Sequence, residues 1–198
     1  MKRFFDVVLS LMVLLLLLPL FLLCMIVIVI ESPGGAIYRQ TRVGKNNIDF
    51  KLLKFRTMKK NADKQGLLTV GYADARVTPF GYLLRRAKFD EFPQLLNIIK
   101  GDMSIVGPRP EVRKYVDMYN EDQRQVLAVR PGLTDYASLV YIHENDILAA
   151  AQNPEEKYIN EIMPHKIKLN LQYIQNQSVK EDFQLIFKTL YAVVSPRK

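Results

Sequence analysis

The chain has 198 residues, of which 28 are lysine or arginine and 20 are acidic, so its formal net charge is +8. This length suffices for one domain with its own hydrophobic core plus attached segments, and the single cysteine, Cys24, excludes an intrachain disulfide. A basic surplus is typical of proteins that meet nucleic acid, an anionic membrane surface or a phosphorylated substrate. The sequence has no helix-turn-helix, zinc-finger or RNA-binding pattern, so it predicts no nucleic-acid partner.

The N-terminal segment, residues 7–30, carries no charge. As a continuous helix it would be roughly 36 Å long, which is enough to cross a bilayer. Pro19 stands in the middle, where it removes a helical hydrogen bond and can bend the chain. Both flanks are basic, and the positive-inside rule would place both in the cytoplasm. A helix that bends at Pro19 and returns to the same face fits both features, but a plain transmembrane anchor stays open on the residue pattern alone.

The next part of the chain has strand and turn signals. Alternation of apolar and polar residues over residues 37–42, and in part over 48–52, predicts a β-hairpin. Residues 62–74 are polar and contain glycine, which predicts a loop. A helix with a basic last turn is predicted over residues 78–86.

Helical signals dominate the rest. Asp90 suits the N-cap of a helix that Gly101 would end. A further helix is predicted over residues 115–129 and a turn-forming loop over 130–135. Near the C-terminus, apolar residues at three- and four-residue spacing predict a helix with one apolar stripe, which could face the core, a membrane interface or another copy of the chain. The stripe consists of Val179, Phe183, Ile186, Leu190 and Val193.

The adjacent carboxylates Asp90 and Glu91 are the centre of chemical interest. An aspartate can attack phosphorus and form an acyl phosphate, and a neighbouring carboxylate can hold Mg²⁺ that bridges to substrate phosphates. Arg85, Arg86 and Arg109 could supply forked donors to phosphate oxygens. Acidic residues at a helix start are also common caps, worth about 0.5–2 kcal/mol. Residue types and spacing leave both interpretations open.

Six short motifs, in a fixed order, carry a resemblance to a known family. They are Gln40-x-Arg42-x-Gly44, Lys54-Phe55-Arg56-Thr57-Met58, Thr78-Pro79-x-Gly81-x-x-Leu84-Arg85, Asp90-Glu91-x-Pro93-Gln94-x-x-Asn97, Gly101-Asp102-Met103-Ser104-x-Val106-Gly107-Pro108-Arg109-Pro110-Glu111 and Arg130-Pro131-Gly132-Leu133-Thr134. Each motif is weak alone, but the ordered set resembles the bacterial sugar transferases, which are polyprenyl-phosphate phosphoglycosyl transferases.

The resemblance implies a reaction and a set of roles. Asp90 would attack the β-phosphate of a UDP-sugar, release UMP and hold the phospho-sugar until polyprenyl phosphate accepts it. Asp90 and Glu91 would hold Mg²⁺. The remaining implied site residues are the phosphate-binding Arg85 and Arg109, and Lys54 and Arg56, which would shape the substrate site.

The short chain and its one hydrophobic segment resemble the small monotopic members of that family. This implies an α+β, mostly helical fold at the cytoplasmic face of the cell (inner) membrane. Residues 1–32 would form a re-entrant membrane helix broken at Pro19, and residues 33–198 a compact catalytic domain with a small β-hairpin. Where many relatives have glycine after the Pro-Gly-Leu-Thr motif, this chain has Asp135, which leaves the local geometry and the sugar preference open.

Two other functions compete with this one. A non-enzymatic membrane adaptor would explain the basic charge and the apolar segment without using Asp90. A membrane-bound nucleotide-sugar hydrolase would use the same carboxylates with water as acceptor. The sequence does not identify the sugar or the glycan pathway.

Overall fold

Helices dominate the fold, with two small sheets, as expected for an α+β protein. The computed structural model describes residues 1–59, 62 and 74–194. Within those residues the helices are α1 (Lys2–Leu16), α2 (Leu18–Glu31), α3 (Pro79–Arg86), α4 (Gln94–Lys100), α5 (Arg113–Val116), α6 (Glu121–Arg124), α7 (Tyr136–Val140), α8 (Glu144–Ala149), α9 (Pro154–Lys157), α10 (Met163–Gln175) and α11 (Val179–Val194), and the strands are β1 (Ile37–Val43), β2 (Asp49–Phe55), β3 (Ser104–Val106) and β4 (Gly132–Thr134).

The predicted β-hairpin is confirmed. β1 and β2 pair in antiparallel register, from Ile37 opposite Phe55 to Val43 opposite Asp49. A short 3₁₀ turn joins them, and Asn47 there has a φ of +64°. Asparagine tolerates this left-handed backbone better than most residues do. The hairpin therefore follows from local chemistry, and it places Lys54 near its end.

The N-terminal segment is a bent pair of helices. α1 ends at Leu16 and α2 starts at Leu18, and the two axes differ by 65°. Pro19 is the second residue of α2. Its ring occupies the space of the carbonyl four residues earlier and it has no N–H to donate, so the helix breaks just before it, as predicted. Among the described residues no single helix is long and apolar enough to cross a membrane, whereas this bent pair is when taken together.

The start of α1 is tied to the rest of the protein by buried polar contacts. The Asp6 carboxylate, 6% exposed, accepts hydrogen bonds from the Ser104 hydroxyl at 2.8 Å and from the Ile105 N–H at 3.2 Å. Arg3 donates to the Ile98 carbonyl at 2.5 Å and to the next carbonyl at 2.9 Å, at the C-terminal end of α4. These bonds join residues 1–32 to residues 33–198, whose separation into two domains stays a prediction.

We expect Asp6→Ala to destabilise the protein by roughly 2–3 kcal/mol, because it leaves a buried hydroxyl and a buried N–H without an acceptor. For a chain of this size that loss should lower the melting temperature by about 4–12 °C. Thermal unfolding in a membrane mimetic measures it. Asp117→Ala, at a position where the carboxylate is largely exposed, is the matched control, and equal melting temperatures for the two variants would contradict the role of Asp6.

The helix predicted over residues 115–129 is wrong as a continuous element. α5 and α6 are separated by a turn, and a 3₁₀ helix, Gln125–Ala128, follows α6. Asn120 causes the separation, since its side chain accepts from the Gln123 N–H at 2.8 Å while the Gln123 side chain accepts from the Asn120 N–H at 3.0 Å. This capping box starts a new helix at Glu121.

The loop predicted over residues 130–135 is also partly wrong, because residues 132–134 form strand β4. β4 pairs in parallel with β3, Ser104 opposite Gly132 and Val106 opposite Thr134. A Cβ atom on Gly132 would lie 2.2 Å from the Gly107 nitrogen, so this close approach requires glycine.

The predicted end of α4 at Gly101 is confirmed, with a φ of +105°. Residues 63–73 of the loop predicted over 62–74 lie outside the described residues.

Three buried clusters hold these elements together. One centres on the segment from Val112 to Val126 with α10, a second on α4, β3 and α11, and a third joins α2 to Phe55 and Leu84. The predicted C-terminal helix is confirmed as α11. Much of its apolar stripe is exposed, with Phe183 at 45% and Leu190 at 56%. Association into a homo-oligomer through this stripe stays a prediction.

Candidate active site

Asp90 lies in a short 3₁₀ turn, Phe89–Glu91, and not at a helix N-cap. α4 begins only at Gln94, after Pro93, so the predicted cap is wrong. The rings of Phe89 and Phe92 stack at a centroid distance of 4.3 Å, and Phe89 also packs near Phe55. The turn is thus held by its apolar side, while its two carboxylates lie on the wall of a cavity. Helix capping does not explain why an aspartate stands at position 90.

Glu91 is held between two cations. Its carboxylate accepts from Lys54 at 3.2 Å and from both terminal nitrogens of Arg109, one of them at 3.1 Å. The pairing is the fork-to-carboxylate type that fixes orientation as well as charge. Lys54 comes from the end of β2 and Arg109 from the segment after β3, so the turn, the hairpin and the β3 segment meet at Glu91. Both oxygens of Glu91 are therefore engaged by cations.

The pKa values of the two neighbouring carboxylates, Asp90 and Glu91, are shifted in opposite directions. Burial raises the pKa of Asp90, and the adjacent negative charge of Glu91 raises it further, although Lys54, Arg85 and Lys88 oppose this. Burial also acts to raise the pKa of Glu91, but Arg109 and Lys54 together lower it well below its ordinary value. Paired titratable groups whose environments separate their pKa values are typical of catalytic sites. Glu91 is the fixed anion, and Asp90 is the carboxylate with raised proton affinity.

Arg85 and Arg56 have different surroundings. Arg85 donates from Nε to the Thr57 hydroxyl at 2.8 Å; burial lowers the pKa of its guanidinium, which the charge of Asp90 partly restores. Arg56 instead donates to the Ser32 and Pro33 carbonyls, the latter at 3.2 Å. Arg85 therefore faces the Asp90 charge, whereas Arg56 fixes the turn that follows α2.

The buried carboxylate of Asp135 binds the backbone of Arg109. Asp135 is 1% exposed, and its carboxylate accepts from the Arg109 backbone N–H at 3.0 Å, from the Ser138 N–H at 2.6 Å and from the Asn170 side-chain amide at 2.9 Å. The bond to Ser138 caps α7. The φ of Asp135 is −153°, extended backbone that any residue adopts, so the absence of glycine here costs no strain. Asp135, which stands where many relatives have glycine, is therefore a buried acceptor that fixes the backbone of Arg109, the residue that holds Glu91.

These side chains share one cavity of about 1220 Å³. A volume of this order accommodates a nucleotide-sized ligand. It extends from the hairpin and α3 past Asp90 to the apolar side chains of α1 and α11. The predicted site residues all line it; they are Lys54, Arg56, Arg85, Asp90, Glu91 and Arg109. A charged centre thus opens toward an apolar groove between the first and last helices.

Comparison with known proteins identifies the family of this chain. The family model for bacterial sugar transferases matches residues 1–196 of the chain. The chain belongs to the bacterial sugar transferase family. Membership makes it an enzyme of the transferase class and confirms the resemblance that the motifs carry.

Named members of the bacterial sugar transferase family are similar along nearly the whole chain. A UDP-N-acetylgalactosamine-undecaprenyl-phosphate N-acetylgalactosaminephosphotransferase of Aeromonas hydrophila is 35% identical over 98% of this chain and 44% of its own length. A UDP-glucose:undecaprenyl-phosphate glucose-1-phosphate transferase of Caulobacter vibrioides is 36% identical over 98% of this chain and 70% of its own. The exopolysaccharide production protein ExoY of Rhizobium meliloti is 36% identical, with shares of 99% and 86%. The chain thus spans less than half of the Aeromonas relative.

Some residues of the site escape sequence reasoning about this family. Lys88, with a φ of +56°, precedes the carboxylates in a backbone conformation that is rare for a residue with a side chain. Asn170, which binds Asp135, stands in a helix without any motif around it. Thr57 lies inside one of the six motifs, which would have been the signal for it. Lys88 and Asn170 have no such signal.

Mg²⁺ fits this site through Asp90 more readily than through Glu91. Among the residues that the structure describes, no three His, Cys, Asp or Glu side chains form a metal-binding group. Mg²⁺ commonly takes only one or two carboxylates and completes its shell with water and substrate phosphates. Asp90 receives no hydrogen bond from any described residue, whereas Glu91 would have to exchange an ion-pair partner for the metal.

We expect Glu91→Gln to move the acidic limb of the pH–activity profile to lower pH. Activity that needs the Asp90 carboxylate is lost as pH falls through its pKa, which lies above the ordinary value. Removing the Glu91 charge removes a repulsion and frees Lys54 and Arg109 to act on Asp90, so the pKa of Asp90 falls. The profile of kcat/KM at saturating Mg²⁺ measures the shift, and an acidic limb that moves upward or stays in place would contradict it.

Proposed function

We propose that the protein transfers a sugar 1-phosphate from a UDP-sugar to polyprenyl phosphate, with Asp90 as the nucleophile. The observation that carries the proposal is the pair of carboxylates in one turn, of which Glu91 is tied to two cations and Asp90 is left without a hydrogen bond among the described residues. The names of the Aeromonas and Caulobacter relatives support the two substrates.

In the first step an oxygen of the Asp90 carboxylate attacks the β-phosphorus of the UDP-sugar. The bond from that phosphorus to the oxygen shared with the α-phosphate breaks, and UMP leaves with the electron pair. Asp90 then carries the sugar phosphate as an acyl phosphate. The positive charges of Arg85 and Lys88 act on the Asp90 carboxylate, so they would also act on the charge that develops on phosphoryl oxygens beside it, and preorganised charges of this kind stabilise the transition state.

In the second step an oxygen of polyprenyl phosphate attacks the same phosphorus. The bond between phosphorus and the Asp90 oxygen breaks, which regenerates the carboxylate and yields polyprenyl diphosphate sugar. Glu91 does not react; it orients Lys54 and Arg109 toward the phosphate groups. When bound, Mg²⁺ would supply positive charge to the phosphate oxygens beside Asp90.

The decisive experiment measures UMP release from a panel of UDP-sugars in a membrane mimetic, with and without polyprenyl phosphate and Mg²⁺. Turnover with one sugar that requires both lipid and Mg²⁺ supports the transferase. Turnover that needs no lipid would favour the nucleotide-sugar hydrolase instead. Folded protein that releases no UMP from any sugar would contradict the proposal and favour a membrane adaptor.

The bent helix pair is proposed to enter the membrane and return to its cytoplasmic face. Both of its ends are bound to the same part of the protein: Arg3 donates to α4, and Glu31 accepts from the Phe80 N–H at 2.8 Å. The outer surface of the pair carries large exposed apolar side chains, which a lipid environment would cover. They include Phe4, Leu11, Met12, Leu15, Leu16, Leu22, Leu23, Ile26 and Ile30.

Labelling tests this placement. In a Cys24→Ala background, a cysteine in a short N-terminal tag and a cysteine at Lys45 should both react with an impermeant reagent only from the cytoplasmic side. Pro19→Leu restores a backbone hydrogen-bond donor and should favour a straight, spanning helix, which would move the N-terminal label to the other side. Labels on opposite sides in the variant that keeps Pro19 would contradict the re-entrant form.

A further inference from the structure

The cavity has two walls that differ in charge. The basic wall is built from β2, α3 and the Phe89–Glu91 turn, and its cations outnumber its carboxylates. The balanced wall is built from Glu111, α8 and α10, together with Arg42 of β1, and it pairs each charge with an opposite one. A nucleoside diphosphate is strongly anionic, whereas most sugars are neutral and rich in hydroxyl groups. The two walls therefore suit different parts of one nucleotide sugar.

The balanced wall contains a chain of polar contacts. Lys166 donates to Glu144 at 2.8 Å, and their side chains are 14% and 24% exposed. The Lys166 ammonium also lies 5.5 Å from the centre of the Tyr158 ring, whose hydroxyl donates to Glu111. Glu111 in turn accepts from Arg42 at 3.0 Å. The side chains are thus held in place before any ligand binds.

Glu144 keeps an unused acceptor. Lys166 binds only Oε2, and no hydrogen bond within the described part of the chain involves Oε1. A carboxylate oxygen accepts hydrogen bonds from sugar hydroxyls, and an ammonium donates to them. Because Lys166 already balances its charge, Glu144 offers little repulsion to a nearby phosphate. The pair has the donor and acceptor that recognition of a neutral polyol requires.

The balanced wall is adjacent to the reacting centre. The backbone N–H of Arg109, the residue that holds Glu91, donates to the Asp135 carboxylate, and that carboxylate also accepts from Asn170 on the same helix as Lys166. The charge of Glu91 dominates in raising the pKa of Arg109, and the charges of Asp135 and Glu144 add to it. Asp90, Glu144 and Lys166 also line the same cavity, so a sugar attached to a β-phosphate at Asp90 would share that cavity with α8 and α10.

We propose that Glu144 and Lys166 recognise the hydroxyl pattern of the transferred sugar and so determine which UDP-sugar is used. The inference rests on the proposed function, because it assigns the sugar end of the same donor. It predicts that changes at these two residues alter discrimination between sugars that differ in one hydroxyl, and leave recognition of the nucleotide unchanged. Buried groups that lose a hydroxyl partner discriminate strongly, since they are left unpaired.

The test compares kcat/KM for UDP-glucose, UDP-galactose and their two N-acetyl-hexosamine counterparts in the wild type, Glu144→Gln and Lys166→Met. We expect the ratio between the preferred sugar and its C4 epimer to change by about 10-fold or more in either variant. The inhibition constant of UMP should stay within about 2-fold. The matched control is Lys157→Met with Glu161→Gln, an exposed ion pair on the preceding turns, which should change neither quantity.

Breaking a half-buried ion pair can reduce stability, so the exchange variant Glu144→Lys/Lys166→Glu accompanies the single ones. It retains the pair and exchanges donor and acceptor, and it should also change the sugar ratio. An equal loss of kcat/KM for all four sugars, or a weakened UMP interaction, would overturn the proposal and assign this wall to the nucleotide.

A binding measurement separates this inference from the proposed function. Affinities of the four UDP-sugars relative to UDP are measured with Asp90→Asn and with Asp90→Asn/Glu144→Gln. If the ratio of affinities between the sugars differs between the two variants, the role of Glu144 is supported. This holds even if the wild type releases no UMP, because that result would contradict only the proposed transferase reaction. Identical ratios in the two variants would overturn the inference and leave the transferase reaction unaffected.

Discussion

Asp90→Asn should reduce UMP release by at least about 10⁴-fold, because an amide cannot attack phosphorus to form the acyl phosphate. Asparagine keeps the size of the side chain, so the stacked Phe89 and Phe92 should still hold the turn. Release of UMP in the presence of polyprenyl phosphate measures the loss. A second measurement, mass spectrometry after acid quenching without the lipid acceptor, should find a phospho-sugar on the wild type and none on the variant.

The control for this prediction is Asp117→Asn, which changes a largely exposed carboxylate far from the turn in the sequence. It should retain the wild-type rate. Turnover by Asp90→Asn within about 10-fold of the wild type would exclude Asp90 as the nucleophile. The nucleophile would then have to be a different residue. Glu91 is a poor alternative, because both of its oxygens are engaged by cations.

Arg109→Met should lower kcat by roughly 10²–10³-fold, the usual cost of removing one preorganised donor from a developing anion. The variant also leaves Glu91 with Lys54 as its remaining ion-pair partner among the described residues. Arg109→Lys retains the charge but loses the forked geometry, so it should recover only part of the rate. Steady-state kinetics measure both variants, and the split between kcat and KM shows whether Arg109 acts on bound substrate or in the transition state.

Arg113→Lys is the matched control for Arg109. Arg113 is partly exposed at the start of α5 and pairs with Asp49 at 2.5 Å, away from the Phe89–Glu91 turn. It should keep the wild-type kcat. If Arg109→Lys also kept the wild-type kcat, the forked contact with Glu91 would be a structural feature without a part in the reaction.

Contiguous motifs in the sequence name residues that the fold brings to one cavity, and their roles in a reaction stay predictions. Asp90 and Glu91 are adjacent, and Lys54 and Arg109 lie in motifs of their own, so the resemblance named all four. It did not show that Glu91 is the anion that gathers the two cations. That fact depends on contacts 37 and 18 positions apart in the chain. The N-cap assigned to Asp90 failed because Pro93 and the two phenylalanines, not the carboxylate, decide where α4 begins.

The sequence by itself determined the local features of this protein. The hairpin, the break before Pro19, the helix α3 and the helix end at Gly101 depend on residues within a few positions of each other, and there short-range sterics and hydrogen bonds are sufficient. The tertiary structure alone decided that residues 132–134 form a strand, since a parallel pair needs its partner β3. It also decided the anchoring of Arg109 by Asp135 and Asn170, because a buried carboxylate is stable only where the fold brings enough N–H donors to it.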